Sequence, residues 1–478
     1  MATKTCAMAR EIAVLVALLT GIVTTPLAEA EQAPTQAEVE QLKREIETLK
    51  ATQREYQKRI DALSEKVETL STDGEAAAPA APVPSVAATP AAEATTAAQP
   101  WSPSQPITLL SSGANYLNLS FDILTNVGTS TEKDVPKLEL GDHDPDQRGF
   151  SLRNAEIALD GAVDPYFKAF AFIVFKLDEN NETGVELEEA YGFTTSLPWN
   201  LQAKAGQFFA EFGRQNPVHP HAWAFVDQPL VMGRLLGGDN LRNVGARVSW
   251  LAPTPFYTEI LLGVFNGEGN TAYSFRNDEN TYGRTPVENG VSNLGDLLYV
   301  PRVTSSFDLS DTQTIVVGAS GAFGANDTGS DEHTQLYGAD VYWKWRPERA
   351  QQGFPFVAWQ TEGMYRRLEA GADPTAGLPD ETLKDWGFYS QLLYGFHLGW
   401  VGALRGEFVS GNGSDFDATD PEARADRTRI SPNLTWYPTE FSKLRLQYNY
   451  DHGEEFGDES SIWLQAEFLL GAHGAHKF

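Results

Sequence analysis

The stretch from residue 107 to 478 alternates apolar and polar residues with a period of two, over runs of about nine or more residues. One such run, "KLRLQYNYD", places these residues on its apolar face: Leu444, Leu446, Tyr448 and Tyr450. Strands in soluble sandwiches usually have about five or six residues. Longer strands with one apolar and one polar face are typical of a transmembrane β-barrel, whose outer surface contacts lipid and whose lumen is wet.

The spacing of these runs predicts an all-β fold, a 16-stranded antiparallel transmembrane β-barrel. The predicted strands are 115–125, 150–161, 167–177, 185–195, 201–212, 241–251, 256–265, 299–309, 313–323, 335–346, 355–367, 385–396, 398–409, 426–437, 443–451 and 461–470. Connections after the even-numbered strands are short, whereas most others are long, such as 126–149 and 213–240. Outer-membrane barrels have short periplasmic turns and long outer loops. The first strand should therefore begin, and the last strand end, on the periplasmic side.

Two residues do not fit this pattern. Pro432 lies inside a predicted strand, where it removes a hydrogen-bond donor from the ladder. Glu189 falls on the apolar face of its strand. A β-bulge or a subunit interface would accommodate either residue.

The pattern of the N-terminal segment, residues 1–30, predicts a secretory signal peptide. Lys4 and Arg10 precede the apolar core "IAVLVALLTGIV", and "AEA" at 28–30 is a cleavage site with small residues. Cys6 is the only cysteine and lies in this segment, so the mature chain should have no disulfide and no cysteine-bound metal. We predict export to the outer membrane of a Gram-negative bacterium.

Residues 31–72 carry a heptad seam that predicts a periplasmic coiled-coil helix. Residues 73–106 form a linker rich in alanine and proline, and 107–478 form the barrel. The heptad chemistry favours two strands. A periplasmic or cell-wall partner of the coiled coil is one possibility that this arrangement leaves open.

The formal net charge of −29 argues against nucleic acid as a partner, because phosphate binding needs a basic surface. The sequence contains neither a G-x-S-x-G nor an H-E-x-x-H motif, so we predict no enzymatic activity. No cofactor is predicted. The expected surroundings are outer-membrane lipid and lipopolysaccharide.

Charged residues on the polar faces of the strands are candidates for the lumen. They are Glu156, Glu186, Glu188, Lys204, Arg247, Glu259, Asp340, Lys344, Glu362, Arg405, Glu407, Arg427, Arg429 and Arg445. Both signs are present. The set fits either a salt-bridged wall with little preference among solutes or a basic ladder that faces an acidic one.

The third outer loop, 213–240, contains seven apolar residues in one short run, which a loop surrounded by water would not need. We expect it to fold into the barrel and narrow the pore. Its charged residues and one neighbour are the candidates for the constriction: Arg214, His219, His221, Asp227, Arg234 and Arg242. His219 and His221 offer two ligands, with Asp227 as the nearest third, whereas zinc takes three or four, so no metal site is predicted.

Residues 149–270 resemble a known family. The segments "RGFSLRNAEIALDGAVDPYFKAFAFI", "GVELEEAYG", "AGQFFAEFGRQNPVHPHAWAFVDQPL" and "NLRNVGARVSWL" are similar to the phosphate-selective porin O and P type family and its porin-like relatives. This resemblance implies a sixteen-stranded outer-membrane porin, commonly a homotrimer, often with an N-terminal coiled coil. We follow it in expecting three subunits.

These observations lead to three functional hypotheses. The first is a porin through which small hydrophilic solutes or ions diffuse. The second is a structural anchor in which a plugged barrel presents the coiled coil to the cell wall or a periplasmic partner. The third is a zinc-uptake channel that uses His219 and His221.

Overall fold

The computed structural model describes residues 106–113, 115–178, 180–287, 290–411 and 413–471. The predicted signal peptide and coiled coil, and all of the predicted linker except Pro106, lie outside the described residues. No helix in this part of the chain is long and apolar enough to cross a membrane.

The described chain folds into antiparallel strands that close into a barrel. The strands are β1 Ile107–Ser112, β2 Asn115–Ser130, β3 Gly149–Ala162, β4 Phe167–Leu177, β5 Thr183–Thr194, β6 Leu201–Phe209, β7 Arg242–Leu251, β8 Tyr257–Phe265, β9 Leu298–Ser310, β10 Gln313–Ala325, β11 His333–Trp345, β12 Phe356–Ala370, β13 Glu381–His397, β14 Trp400–Ser410, β15 Arg427–Thr439, β16 Ser442–Gly453 and β17 Gly457–Leu470. Each strand from β2 to β17 pairs with the next, and β17 pairs with β2. The predicted sixteen-stranded antiparallel barrel is therefore confirmed.

One strand was missed by the sequence prediction. β1 pairs with β2 on the edge that also carries β17, since Ile107 pairs with Leu119 and Leu470 pairs with Phe121. Its sequence, "ITLLSS", is short and does not alternate. The segment therefore gave no period-two signal, and most of β1 is held in place by β2.

The two residues that did not fit the sequence pattern, Glu189 and Pro432, have local explanations. In β5, Phe172 pairs with Glu189 and Ile173 with Leu187, so Glu188 is an extra, bulged residue. The bulge lets both Glu188 and Glu189 turn into the barrel, where they are buried. Pro432 pairs with Leu404 of β14, and the β15–β16 ladder skips this position, where proline has no N–H to donate.

Two of the described long loops that enter the barrel carry the candidate site. We name the β2–β3 loop, residues 131–148, L1, and the β6–β7 loop, residues 210–241, L3. L3 contains helix α1, Leu230–Leu236, which begins after Pro229 and ends at Gly237, whose φ of +89° suits glycine. A second short helix, α2, Pro421–Arg424, lies in the β14–β15 loop.

The hydrophobic core forms where L3 meets the inner surface of the barrel. Buried residues of L3 pack against buried residues of the strands in one cluster: Phe212, Leu230, Val231, Met232, Leu235 and Leu236 with Phe208, Phe265, Val300, Leu336, Met364, Tyr389 and Val409. The sequence prediction had extended β6 to residue 212. In the structure β6 ends at Phe209, because Phe212 already turns inward to join this core.

Candidate functional site inside the barrel

L3 enters the interior at Gly213, where side chains of β10 and β12 bind its backbone. Its N–H donates to Ser320 Oγ at 2.9 Å, and the next two backbone N–H groups donate to Glu362 at 3.2 Å each. Gly213 has φ +64°, and a Cβ there would lie 1.6 Å from Glu362 Oε1. Only glycine fits this approach of the backbone to a buried carboxylate.

Asp227 anchors L3 on the side of β14 to β16. Its Oδ1 accepts hydrogen bonds from Arg405 at 2.5 Å and Gln447 at 2.8 Å, and its Oδ2 accepts from Arg429 at 2.7 Å and Asn449 at 2.6 Å. All five residues are buried. Burial opposes ionisation of Asp227, but the charges of Arg405 and Arg429 hold its pKa below the ordinary value.

Other wall residues bind the backbone of L3. Arg445 donates to the carbonyls of Trp223 and Phe225 at 2.8 and 2.9 Å. Glu407 accepts from the N–H of Leu230 at 2.6 Å. These predicted lumen residues are thus used in holding the loop.

L1 also enters the barrel, which the sequence prediction did not foresee. Glu139 Oε2 accepts from Arg429 at 2.7 Å, and Glu139 Oε1 accepts from the indole of Trp463 at 3.1 Å. Val135 packs against Val226 of L3 and Trp463. The apolar residues of "VPKLEL" at residues 135–140, of which Val135 and Leu138 are buried, are the signal that would have placed this segment inside.

The ionisable residues of L1 are strongly affected by burial. Burial raises the pKa of Glu139 to about 8, although Arg429 opposes the shift. Burial and the charge of Asp227 raise the pKa of Asp144 to about 7. For His143, burial lowers the pKa, but the hydrogen bond and charge of Glu188 outweigh it and raise the value to about 9.

The histidines of L3 meet carboxylates of β3 and β5. His219 Nδ1 lies 3.2 Å from Glu156 Oε2 and 2.9 Å from Glu188 Oε2, and its Nε2 lies 2.9 Å from Glu189 Oε2. His221 Nδ1 lies 3.9 Å from Glu156 Oε2. Asp227, the third ligand considered from the sequence, is instead held by Arg405 and Arg429.

The two histidines differ in protonation. Burial lowers the pKa of His219, but the carboxylates of Glu188 and Glu156 outweigh this and raise it well above the ordinary value. Burial lowers the pKa of His221 to about 4, so its imidazole is neutral near pH 7.

Of the remaining predicted acids, Asp340 pairs with Arg302, and Glu259 accepts a hydrogen bond from the Tyr257 hydroxyl. The remaining predicted cations fall into two groups. Those with a carboxylate partner are Arg242 with Glu186, Arg247 and Lys204 with Glu211, and Arg427 with Asp451. Four predicted cations form no ion pair within the described ranges: Arg214, Arg234, Lys344 and Arg445, the last of which binds the L3 backbone. The Arg214 guanidinium lies 4.0 Å from the centre of the Tyr342 ring, and Lys344 lies 5.2 Å from that of Phe356. Arg234 donates to the carbonyl of Ala425 at 3.2 Å.

Cavities lie at both ends of the barrel. At the end with the long loops, a cavity of about 500 Å³ is lined by L1 and L3 residues that include Glu139, Asp142 and Asp239. At the end with the short turns, a cavity of about 410 Å³ is lined by residues that include Tyr342 and Lys344.

The closed sixteen-stranded barrel, with polar residues buried inside and two loops folded inward, defines a porin-like outer-membrane fold. No family model matches the chain. An uncharacterized protein of Aquifex aeolicus (strain VF5) is 31% identical over 351 residues, which cover 70% of this chain and 71% of that protein. The chain belongs to the same family as this Aquifex aeolicus protein.

The chain is similar to solved outer-membrane structures. The outer membrane channel DcaP of Acinetobacter baumannii matches with a TM-score of 0.50 and 12% identity, over 75% of this chain and 99% of DcaP. OprB of Pseudomonas putida matches with a TM-score of 0.47 and 11% identity, over 74% of this chain and 94% of OprB.

Proposed function

We propose that the protein is an outer-membrane channel, rather than an enzyme, through which small hydrophilic solutes diffuse, and that L3 forms its constriction. The observation that carries the proposal is the course of L3 through the barrel interior. The loop is bound at Gly213 by β10 and β12, at Asp227 by β14 to β16, and at His219 by β3 and β5. A loop held on several sides of the lumen narrows the path of a solute.

The charges that remain without carboxylate partners support a preference for anions. Most interior arginines are neutralised by buried carboxylates, and such pairs attract solutes weakly. Arg214 and Lys344 rest on aromatic rings and form no ion pair among the described residues. A cation without a carboxylate partner attracts anions, so small anions are the solutes we propose.

Recording from the purified protein in a planar lipid bilayer tests this proposal. We expect stepwise increases in conductance and, in a salt gradient, a reversal potential on the anion side. The same preparation after heat denaturation serves as the control. A folded protein that inserts into the bilayer and never conducts would contradict the channel.

A structural anchor is a second candidate, and the packing of L1 against L3 favours it. Val135, Val226 and Trp463 form an apolar contact inside the barrel, and Glu139 lies beside them. A barrel filled in this way can hold an N-terminal arm without passing solutes. Deletion of residues 31–106 discriminates the two: a channel should conduct unchanged, whereas an anchor should lose its periplasmic or cell-wall partner.

We also propose that the protein is a homotrimer, as the family resemblance implies. The outer surface between the ends of the barrel is apolar, with Leu392, Leu404 and Leu446 exposed in the single chain. Native mass spectrometry of the detergent-extracted protein should show three copies. A monomer or dimer would contradict this proposal and leave the channel proposal intact.

A further inference from the structure

We propose that the barrel holds a resident divalent transition-metal ion of the Zn²⁺ type, bound between L3 and the barrel wall by His219, His221 and Glu156, with Glu188 beside His219. The two histidines come from L3, Glu156 from β3, and Glu188 from the bulge of β5. The ion would join the loop to the wall at β3, whereas Asp227 joins it to the wall at β14 to β16. This inference does not depend on the channel proposal.

The spacing of the ligand atoms of Glu156, His219 and His221 fits three corners of a tetrahedral site. Zinc binds imidazole nitrogen and carboxylate oxygen at about 2.0–2.2 Å, which places neighbouring ligands about 3.3 Å apart. His219 Nδ1 lies 3.2 Å from Glu156 Oε2 and 2.9 Å from Glu188 Oε2. His221 Nδ1 lies 3.9 Å from Glu156 Oε2, and the ligand atoms of Glu156, His219 and His221 all lie within 4.8 Å of one another.

The local sequence explains why two histidines face one point. His219 is extended, with φ −65° and ψ 151°, and Pro220 begins a single 3-10 turn that reverses the backbone at once. The two imidazole rings therefore lie on the same side of the loop, 5.7 Å apart between centroids. The proline between them creates this arrangement, because it fixes φ at the start of the turn.

The side chains that hydrogen-bond to the proposed ligands are arranged as expected around a metal site. Histidines that bind metal commonly donate their other ring N–H to a carboxylate, which fixes the tautomer. Glu189 Oε2 lies 2.9 Å from His219 Nε2 and is placed to accept that proton, leaving Nδ1 free to bind. The second oxygen of Glu188 lies 3.3 Å from His143 Nε2, which orients that carboxylate as well.

The charge balance of the cluster also favours a cation. Glu156, Glu188 and Glu189 are at most 5% exposed and all contact one imidazole, His219. Asp122 adds a fourth buried carboxylate, 3.8 Å from His221 Nδ1. Buried charges without compensation are costly. A divalent ion adds two positive charges where a single imidazolium supplies one.

Metal content of the folded full-length protein tests the site. The protein is stripped with a chelator, dialysed against Zn²⁺, and measured for zinc per chain and for affinity. We expect one Zn²⁺ per wild-type chain and almost none in His221→Gln or Glu156→Gln. His452→Gln is the matched control, because His452 lies exposed beside Asp458 at 2.8 Å and should not affect binding.

A second variant separates metal binding from a structural ion-pair cluster. Glu189→Gln should keep one Zn²⁺ per chain but weaken its binding roughly 10- to 100-fold, as expected for a residue that hydrogen-bonds to a metal ligand. X-ray absorption of the loaded protein should show two nitrogen ligands and at least one oxygen ligand at about 2.0–2.2 Å. Circular dichroism before and after heating identifies variants that remain folded.

Two outcomes would overturn the proposal. One is a folded wild-type protein that retains no Zn²⁺, and the other is His221→Gln binding zinc as tightly as wild type. A barrel that conducts in the bilayer but retains no Zn²⁺ would remove the metal site and leave the channel standing. A barrel that binds one Zn²⁺ without conducting would support the metal site and contradict the channel.

Discussion

Asp227 of L3 and Arg429 of β15 form a buried ion pair with an N–O distance of 2.7 Å, and the same guanidinium nitrogen lies 2.7 Å from Glu139 of L1. One arginine therefore holds both inward-folded loops. Its Nε also donates to Asp451 at 2.9 Å, so three acidic side chains contact this one guanidinium. The positions of the loops are coupled through this residue.

Asp227→Asn should release L3 from the β14 to β16 side. The change leaves Arg405 without the Asp227 charge and Arg429 with one carboxylate fewer, and breaking a buried pair costs about 3–5 kcal/mol. We expect a larger, noisier bilayer conductance and faster trypsin cleavage within L3.

Asp458→Asn is the control for this change, because that carboxylate is half-exposed and lies at the end of the β16–β17 hairpin. Trypsin cleavage of L3 in Asp227→Asn at the wild-type rate would show that the pair does not hold the loop.

Gly213→Ala should displace the start of L3. The added Cβ would overlap Glu362 Oε1, which cannot move without losing its hydrogen bonds to two backbone N–H groups and Tyr389. We expect altered conductance and a lower thermal midpoint.

Gly377→Ala is a matched control for Gly213→Ala. Gly377 has a similar φ of +72° but no atom within 4 Å of its added Cβ, so it should cost only the backbone strain, about 1–2 kcal/mol. Equal loss of stability in the two variants would mean that the contact with Glu362 is unimportant.

The sequence predicted the barrel well, because the period-two alternation follows directly from having lipid on one face and polar packing on the other. It placed β4 at its observed bounds, 167–177. It also predicted an inward L3 from the apolar residues of that loop. It missed β1, whose six residues do not alternate.

The contacts between buried charged side chains inside the barrel could not be predicted in the same way. His219 meets Glu156, 63 positions earlier, only because the β5 bulge and the inward course of L3 bring separate strands together. Sequence periodicity assigns a face to each residue but carries no information about which buried charges meet. Asp227 was therefore considered as a zinc ligand, although it is bound by arginines.

Arg214→Gln should shift ion preference without unfolding the barrel. The guanidinium lies over Tyr342 and forms no ion pair in the described chain, so its loss removes a positive charge and leaves no buried partner. We expect the reversal potential in a salt gradient to move toward cations. Arg349→Gln, an exposed change in the β11–β12 turn, is the control. An unchanged reversal potential in Arg214→Gln would exclude this residue from the selectivity of the pore.

Raising the pH should loosen L1 and L3 inside the barrel. Glu139, with an ordinary pKa of 4.5, has a pKa of about 8 in the folded loop, because burial disfavours its charge and Asp227, Asp144 and Asp451 add repulsion to the attraction of Arg429. Its contribution is complete below pH 4.5 and is lost as the pH rises through 8. His143 acts in the same direction, since its contribution is complete below pH 6.5 and is lost as the pH rises through about 9.

Hydrogen exchange of the L1 and L3 amides measures this effect between pH 6 and pH 9, after correction for the intrinsic rate. We expect protection to fall by up to about tenfold per pH unit for each proton released. Glu139→Gln should flatten the profile, because its amide can still accept from Trp463 but does not ionise, whereas exposed Glu182→Gln should follow wild type. Protection that is equal at pH 6 and pH 9 in wild type would show that these groups do not control the docking of the loops.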